Sequence, residues 1–421
     1  MAQRKLAGFA YSVVLGTGMF FCAEPVLGQC RYELTLTSQI ECSDGSMTTS
    51  DPWDINNSSQ VCGRVYGCGG SDYAPYFWDG GQDTGMQIDM PDEFYKFWPT
   101  SINNNGLIVG SGYKTEQEGN ISHHAAAWQN GTWTILPGIS PQNYPDYDYG
   151  PPCWAVACND AGTIVGGVAA EDGMYAGIWQ SGNLSVIPQT HSINAFATAI
   201  SESGTVAGSF YLTDEKGRLV DHVFIYKDGV FTDIGAPENA TSVGVTGIND
   251  ALMIVLNAEI GNQPLWRSYV WKAGKFSQLE LPKGMQRSVV QGLNASGTAV
   301  GYCDNGSSVS SKAVRWDNQQ IVMLDQFVSG PVPIRSAAQA INDQGQIVSY
   351  GTFENETTWL TYILTPEAAT SGDVNCDAHV DVNDLTEIIL NWGVSGGPAD
   401  LNFDQVVDSG DLEQVLMNWS K

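Results

Sequence analysis

One short pattern recurs seven times between residues 54 and 345, and that recurrence restricts the chain to a repeat architecture. The copies are Asp54-Ile55-Asn56-Asn57, Ser101-Ile102-Asn103-Asn104-Asn105-Gly106, Ala157-Cys158-Asn159-Asp160-Ala161-Gly162, Ala199-Ile200-Ser201-Glu202-Ser203-Gly204, Gly247-Ile248-Asn249-Asp250, Gly292-Leu293-Asn294-Ala295-Ser296-Gly297 and Ala340-Ile341-Asn342-Asp343-Gln344-Gly345. Six copies have Asn at the third position and one has Ser201, with successive spacings of 47, 56, 42, 48, 45 and 48 residues. A β-rich segment such as Leu107-Ile108-Val109-Gly110 or Thr298-Ala299-Val300-Gly301 follows each anchor. An aromatic strand before a polar turn comes next, as in Trp128-Gln129-Asn130-Gly131 and Trp271-Lys272-Ala273-Gly274.

Each unit therefore holds two hairpin signals, because Asn can bond its own backbone at a turn and a following Gly takes the left-handed conformation that closes it. Two hairpins make four strands. Four-stranded units at a period of about 45 residues are the signature of propeller blades, so the spacing predicts an all-β, seven-bladed β-propeller. Leu252 stands where blade five should have Gly, and Ser349 replaces the Gly of Val-Gly in blade seven. Blade seven lacks an outer strand after Trp359-Leu360-Thr361-Tyr362-Ile363-Leu364, and the alternating segment Tyr32-Glu33-Leu34-Thr35-Leu36 is expected to supply it and close the ring.

On these motifs the chain resembles the HAF-repeat family of extracellular bacterial proteins, whose pattern runs hydrophobic-Asn-x-x-Gly-x-hydrophobic-Val-Gly and then an aromatic strand. The resemblance implies a repeat fold rather than an activity, and it brings no catalytic residues.

Residues 1–28 read as a secretory signal peptide: Arg4 and Lys5 precede an apolar run from Leu6 to Ala23, and Val26-Leu27-Gly28 ends it. The expected location is secreted, extracellular or at the cell surface, with no transmembrane segment after cleavage. Removing Cys22 leaves eight cysteines in an oxidising setting, where Cys62 with Cys68 and Cys153 with Cys158 are close enough in sequence to pair. Isolated buried thiols are the alternative, since Cys62 and Cys158 fall on core positions of the repeat. The formal charge of -28 disfavours nucleic acid and anionic membranes, and cations are the natural counterpart.

Beyond the propeller at 29–364 and a linker at 365–372, residues 373–421 form a different module. Asp373, Asn375, Asp377, Asp381 and Asp384 stand at positions 1, 3, 5, 9 and 12 of a loop, and Asp400, Asn402, Asp404, Asp408 and Asp411 repeat that spacing 27 residues later. This density of oxygen donors suits hard calcium ions, and each loop runs into a helical pattern, so a small α-helical domain with two Ca2+ ions is expected. The duplicated motif resembles a type I dockerin. That resemblance implies calcium-dependent folding and docking onto a cohesin-like protein or a cell-surface component. Ala378 and Gln405 depart from the Gly usual at position six, and Val382-Asn383 differs from Ser409-Gly410 at the recognition positions.

No catalytic constellation is evident. His123 and His124 follow Glu116 and Glu118 in what reads as one polar loop able to bind a metal, and the serines lack a nucleophile-elbow pattern. The longest inter-blade insertion contains Tyr144, Asp146, Tyr147, Asp148, Tyr149 and Trp154, whose flat aromatic faces suit sugar rings or a protein partner. The sequence thus points to a secreted, non-catalytic binding or scaffold platform with a calcium-dependent attachment module. The alternative is a carbohydrate-active propeller enzyme, a glycoside hydrolase or lyase, which would require converging carboxylates in the central cavity.

Overall fold

The computed structural model describes residues 32–37, 49–66, 73–80, 85–115, 121–139, 152–188, 194–213, 217, 219–261, 265–307, 310–317, 319–354, 358–367, 372–374, 380–393, 399, 401–402 and 406–419. Two compact units are present: Arg31–Glu367, and a second that contains the C-terminal segment Ala368–Lys421. Arg31–Glu367 is all-β and folds as a seven-bladed propeller, six blades being antiparallel four-stranded sheets in simple sequence order. Blade one runs Thr49–Ile55, Val61–Tyr66, Tyr73–Trp78 and Met86–Gln87; blade two runs Lys96–Ile102, Ile108–Thr115, Ile121–Gln129 and Thr132–Ile135. Blades three to six begin at Cys153–Cys158, Ala195–Ile200, Ala240–Ile248 and Arg287–Leu293. The seventh sheet takes Arg335–Ile341, Ile347–Thr352 and Leu360–Pro366 from the C-terminal side and Tyr32–Leu36 from the N-terminal side. Tyr32 pairs with Pro366 and Leu36 with Tyr362, antiparallel, so the N-terminal strand closes the ring as its alternation predicts.

The first strand of every blade lines the central channel. All seven carry a β-bulge at the same place, between Pro52 and Asp54, Pro99 and Ser101, Ala155 and Ala157, Ala197 and Ala199, Val245 and Gly247, Val290 and Gly292, and Ala338 and Ala340. The bulge re-aims one residue per blade, and those residues, Trp53, Thr100, Val156, Thr198, Thr246, Gln291 and Gln339, all line the channel. It also explains the Gly of Val-Gly. A Cβ at Gly110, Gly166, Gly208 or Gly301 would stand within 2.0 Å of the carbonyl oxygen of Trp98, Trp154, Phe196 or Val289 on the bulged neighbour.

The repeat Asn makes the inter-blade contact. The Asn103 Oδ1 accepts the backbone N–H of Asn105 and of Leu107, closing its own turn, while its Nδ2 donates to the Asn159 carbonyl of the next blade at 2.9 Å. The same amide-to-carbonyl bond runs from Asn56 to Asn103, Asn159 to Ser201, Asn249 to Asn294, Asn294 to Asn342 and Asn342 to Asn56. Ser201 is too short to extend this ring of amides; its hydroxyl accepts from the Thr205 N–H and also helps to stabilise the Asp250 carboxylate of blade five. Leu252 of blade five and Ser59 of blade one hold this turn at φ 55° and 61°, where the other five blades place Gly106, Gly162, Gly204, Gly297 and Gly345.

Apolar cores fill the spaces between blades, as with Cys62 of blade one against Ile102, Ile108 and Trp128 of blade two. The repeat tryptophans take part: Trp179 and Trp316 are buried, and their indoles donate to the carbonyls of Pro137 and Glu280 on the preceding connectors.

The C-terminal unit has two short helices, α1 (Val382–Leu390) and α2 (Ser409–Met417), around a core of Val374, Val380, Ile388, Ala399, Val407 and Val415. Among the described residues no helix is long and apolar enough to cross a membrane.

Candidate functional site

The channel has two mouths of different chemistry. At the mouth where the first strands end, the turns present Asp160, Glu202, Asp250 and Asp343, and no Lys, Arg or His is among the described lining residues. These acids are used structurally. Each accepts a backbone N–H from the preceding blade, as with Asn104 to Asp160, Asp160 to Glu202, Ser203 to Asp250 and Ala295 to Asp343. Burial, and then the charges of Asp160, Asp250 and Asp343, push the Glu202 carboxyl above its ordinary range.

Inside the channel the wall is mostly small and apolar, with Val156, Ala157, Ala199, Val245, Gly247, Gly292 and Ala340. Its polar side chains bridge neighbouring blades: the Thr100 hydroxyl bonds the Ala155 carbonyl, Thr198 the Val245 carbonyl, and Gln291 the Gln339 side chain. One carboxylate reaches this wall. Asp54 accepts from the Ser101 hydroxyl and the Ile102 and Ile55 amides, yet burial outweighs these bonds and pushes its pKa up to about 6. Asp54 also lines the turn mouth together with Asp160, Glu202, Asp250 and Asp343, whereas on the inner wall it is the one acid among the described lining residues.

The opposite mouth, where the first strands begin, is aromatic. Ring follows ring from blade one into blade three: Tyr66 to Tyr73 at 5.7 Å, Tyr73 to Trp98 at 5.7 Å, Trp98 to Tyr113 at 5.3 Å, Tyr113 to His123 at 4.4 Å and His123 to Trp154 at 5.4 Å between centroids. Arg64 lies at the centre, its guanidinium 4.9 Å from the Trp98 ring and 5.2 Å from both Trp53 and Tyr73, with an ion pair to Asp51 at 2.5 Å. Its Nε is buried without a hydrogen-bond partner. Lys96 sits over Tyr73 at 4.9 Å and Tyr95 at 5.8 Å. Trp53 and Tyr95 are the exposed members. The arc continues backwards round the ring through Tyr350, packed 5.0 Å from Trp359, and Tyr302, which lies under Arg287. Burial, and then Asp51, Tyr302 and Tyr66, push the Tyr350 hydroxyl up to about 12, so it remains a neutral donor at physiological pH. Burial lowers the His123 pKa, and its Nδ1 accepts the Trp154 indole N–H at 3.0 Å, which leaves a neutral ring with the proton on Nε2.

Several residues sit differently from the sequence reading. His123 and His124 are neighbours on a strand, not in a loop, and their side chains point to opposite faces of the sheet. His124 is buried with its Nε2 at 2.7 Å from the Ser122 hydroxyl, so the pair cannot chelate one metal. Cys153 and Cys158 are free thiols at the two ends of one strand. At ~3.3 Å per residue they lie about 17 Å apart, far beyond the reach of a disulfide. Cys62 and Cys303 are also free and buried. Of the insertion residues, Trp154 belongs to the aromatic face, while Tyr144, Asp146, Tyr147, Asp148 and Tyr149 lie outside the described residues.

In the C-terminal unit the two loops repeat each other's hydrogen bonds. Asp384 accepts the Val374 N–H at 2.6 Å and the Asp381 N–H at 2.8 Å; Asp411 accepts those of Leu401 at 2.6 Å and Asp408 at 2.8 Å. Asp381 and Asp408 cap α1 and α2 by accepting from Asn383 and Gly410. Asp373, Asp384 and Asp411 are buried. Asn402 is half-buried, and Asn375, Asp377, Asp400 and Asp404 lie outside the described residues. Among the described residues no group of three acidic, His or Cys side chains is gathered for a metal.

No family model and no curated protein matches the chain. Solved structures similar to it include the β-propeller domain of the Trilobed protease from Pyrococcus furiosus, titled as having an open velcro topology, at 11% identity and TM-score 0.47, covering 70% of this chain and 96% of that one. An acylaminoacyl peptidase from Pyrococcus horikoshii matches at 10% identity and TM-score 0.44 over 74% of this chain, which spans only 52% of the peptidase. YCF48 bound to D1 peptide matches at 11% identity and TM-score 0.42, covering 79% and 100%.

Proposed function

We propose that this is a secreted, non-catalytic binding protein whose propeller presents the aromatic mouth to a saccharide, and whose C-terminal unit is a dockerin-like, calcium-dependent attachment module. One observation carries the first half: the unbroken aromatic arc of Tyr66, Tyr73, Trp98, Tyr113, His123 and Trp154 around Arg64. Flat rings with polar edges suit the apolar faces and hydroxyl rims of sugars, and a rigid propeller lowers the ordering cost of binding. The channel wall favours this reading over the enzyme alternative, because small and apolar residues dominate it and the carboxylates that share the turn mouth with Asp54 are engaged by backbone N–H groups of neighbouring blades.

The attachment half rests on the duplicated loops. Ten acids and one base, Lys421, fall between Ser371 and Lys421, and three of the acids are buried. Such a concentration of carboxylates suits a cation, and the oxygen-only donor set fits calcium, which Asp373, Asn375, Asp377, Asp381 and Asp384, and their counterparts Asp400, Asn402, Asp404, Asp408 and Asp411, would hold. When bound, the ions neutralise and order the loops. The helices expose equivalent apolar residues, Ile389, Leu390 and Trp392 on one and Leu416, Met417 and Trp419 on the other, which suit a protein partner of the cohesin class.

The direct test replaces the exposed rings Trp53 and Tyr95 with Ala and measures binding across a panel of plant and microbial glycans. Loss of glycan binding with an unchanged melting temperature is expected. Undiminished binding, or no glycan bound by the wild type, would exclude the aromatic mouth as a saccharide site.

A further inference from the structure

Building on the saccharide reading of the aromatic mouth, we infer that the chamber behind it takes the neutral terminal sugar of a chain, so that the protein recognises a glycan by its end. The chamber has a volume of about 380 Å³ and lies where the bulges turn one residue per blade into the channel. Pockets for small molecules span about 300–1,000 Å³, so the space suits one end of a ligand rather than a polymer passing through. Trp53 joins chamber and mouth: it lines the chamber, is exposed, and has the Arg64 guanidinium 5.2 Å from its ring. On the far side Cys158, Ile200, Ile248, Leu293 and Ile341 line both the chamber and the turn mouth, and form an apolar collar between them. Sugar hydroxyls would lose their hydrogen bonds in that collar, so a chain entering past Trp53 stops in the chamber.

The chemistry of the wall fits hydroxyl groups. Trp53 offers a ring face, and the half-buried side chains of Thr100, Thr198, Thr246, Gln291 and Gln339 surround the same space. The threonines direct their hydrogens to the carbonyls of Ala155, Val245 and Val255, which leaves oxygen lone pairs as acceptors. The Gln291 Nε2 donates to the Gln339 Oε1 at 2.8 Å, and the Gln339 Nε2 donates to the Pro52 carbonyl, next in the chain to Trp53, at 3.4 Å. These bonds orient both amides and leave, among the described residues, the Gln291 Oε1 to accept and one N–H on each amide to donate. A sugar hydroxyl donates and accepts at once, so it matches a wall that mixes both, beside a ring that covers an apolar sugar face. No Lys, Arg or His is among the described lining residues, and the one acid, Asp54, already accepts from Ser101, Ile102 and Ile55. A uronate end would enter without a cation to pair with, so the terminal residue is neutral.

Titration calorimetry on the full chain tests this with hexasaccharides of glucose, xylose, mannose and galactose, a soluble linear polymer of each sugar, and hexagalacturonate. A neutral hexasaccharide that binds should take one protein per molecule, and its polymer should also take one protein per chain, however long the chain. Gln291→Leu and Thr246→Val should each weaken that binding about fivefold with the melting temperature unchanged, and hexagalacturonate should not bind. Several proteins per polymer chain, or Gln291→Leu binding as tightly as the wild type, overturns the chamber inference and leaves the saccharide reading of the mouth intact. Hexagalacturonate bound as tightly as the neutral hexasaccharides overturns the neutral end in the same way. Failure of the wild type to bind any of these glycans overturns both.

Discussion

The Asn of the repeat performs two tasks with one amide: its oxygen closes the turn it sits in, and its nitrogen reaches the neighbouring blade. A buried inter-blade bond of this kind contributes about 0.5–1.5 kcal/mol, and orphaning its partners costs about 1–3 kcal/mol. Asn103→Ala is therefore expected to lower stability by about 2 kcal/mol in urea denaturation. Ser201 marks the one junction where the amide is missing, and Ser201→Asn should raise stability by about 1 kcal/mol by donating to the Asn249 carbonyl. Asp54 gives a second residue-scale prediction. Its folded pKa of about 6 lies above the ordinary carboxyl value, so the folded state holds its proton more tightly than the unfolded state. That contribution to stability is complete below about pH 4 and is lost as pH rises through about 6. Asp54→Asn should accordingly raise the melting temperature more at pH 8 than at pH 4.5, and a pH-independent difference would exclude the assignment. The anchor residues were legible in the sequence because backbone geometry demands them locally. Tyr66, Tyr73, Trp98 and Tyr113 were not, because they come from separate strands and meet only when the blades assemble. A weak signal did exist: Tyr66, Tyr113 and Tyr211 each fall three residues after the glycine of the β-rich segment, at Gly63, Gly110 and Gly208.

At the scale of elements, the N-terminal strand covers what would otherwise be the open edge of blade seven, and the Tyr32 hydroxyl, buried, takes a hydrogen bond from Arg315 of blade six. Deleting residues through Thr37 should lower the melting temperature by about 5–10 °C and promote association through the exposed edge. Alternation in Tyr32–Leu36 announced this pairing, as period two announces any half-buried strand. The bulges were not announced. They emerge from the ring's need to turn one residue per blade into the channel, and the recurring Gly opposite them is their only trace in the sequence. Gly166→Ala would drive a methyl group into the Trp154 carbonyl, and a loss of about 3 kcal/mol or more is expected from chemical denaturation. The histidine pair and the Cys153 to Cys158 spacing misled for a common reason. Closeness in sequence was read as closeness in space, whereas a strand alternates neighbouring side chains and separates residues five apart.

For the whole molecule, the account divides labour between a rigid platform and a calcium-dependent tail. Adding EDTA to the full chain should render α1 and α2 sensitive to protease while leaving a propeller-sized fragment intact, and Asp384→Ala or Asp411→Ala should each abolish one calcium-binding event in calorimetry. Resistance of the tail in EDTA would contradict the calcium assignment. The propeller's central claim is spatial: of its two mouths, the aromatic one binds. Hydrogen exchange of the intact protein with and without a saturating glycan that the panel identifies tests this directly. The account predicts ligand-dependent protection in Tyr66, in Tyr95–Trp98 and around Tyr113, with the turns at Asn159–Gly162 and Asn249–Met253 unchanged. Protection confined to those turns, or none anywhere on the propeller, would contradict it.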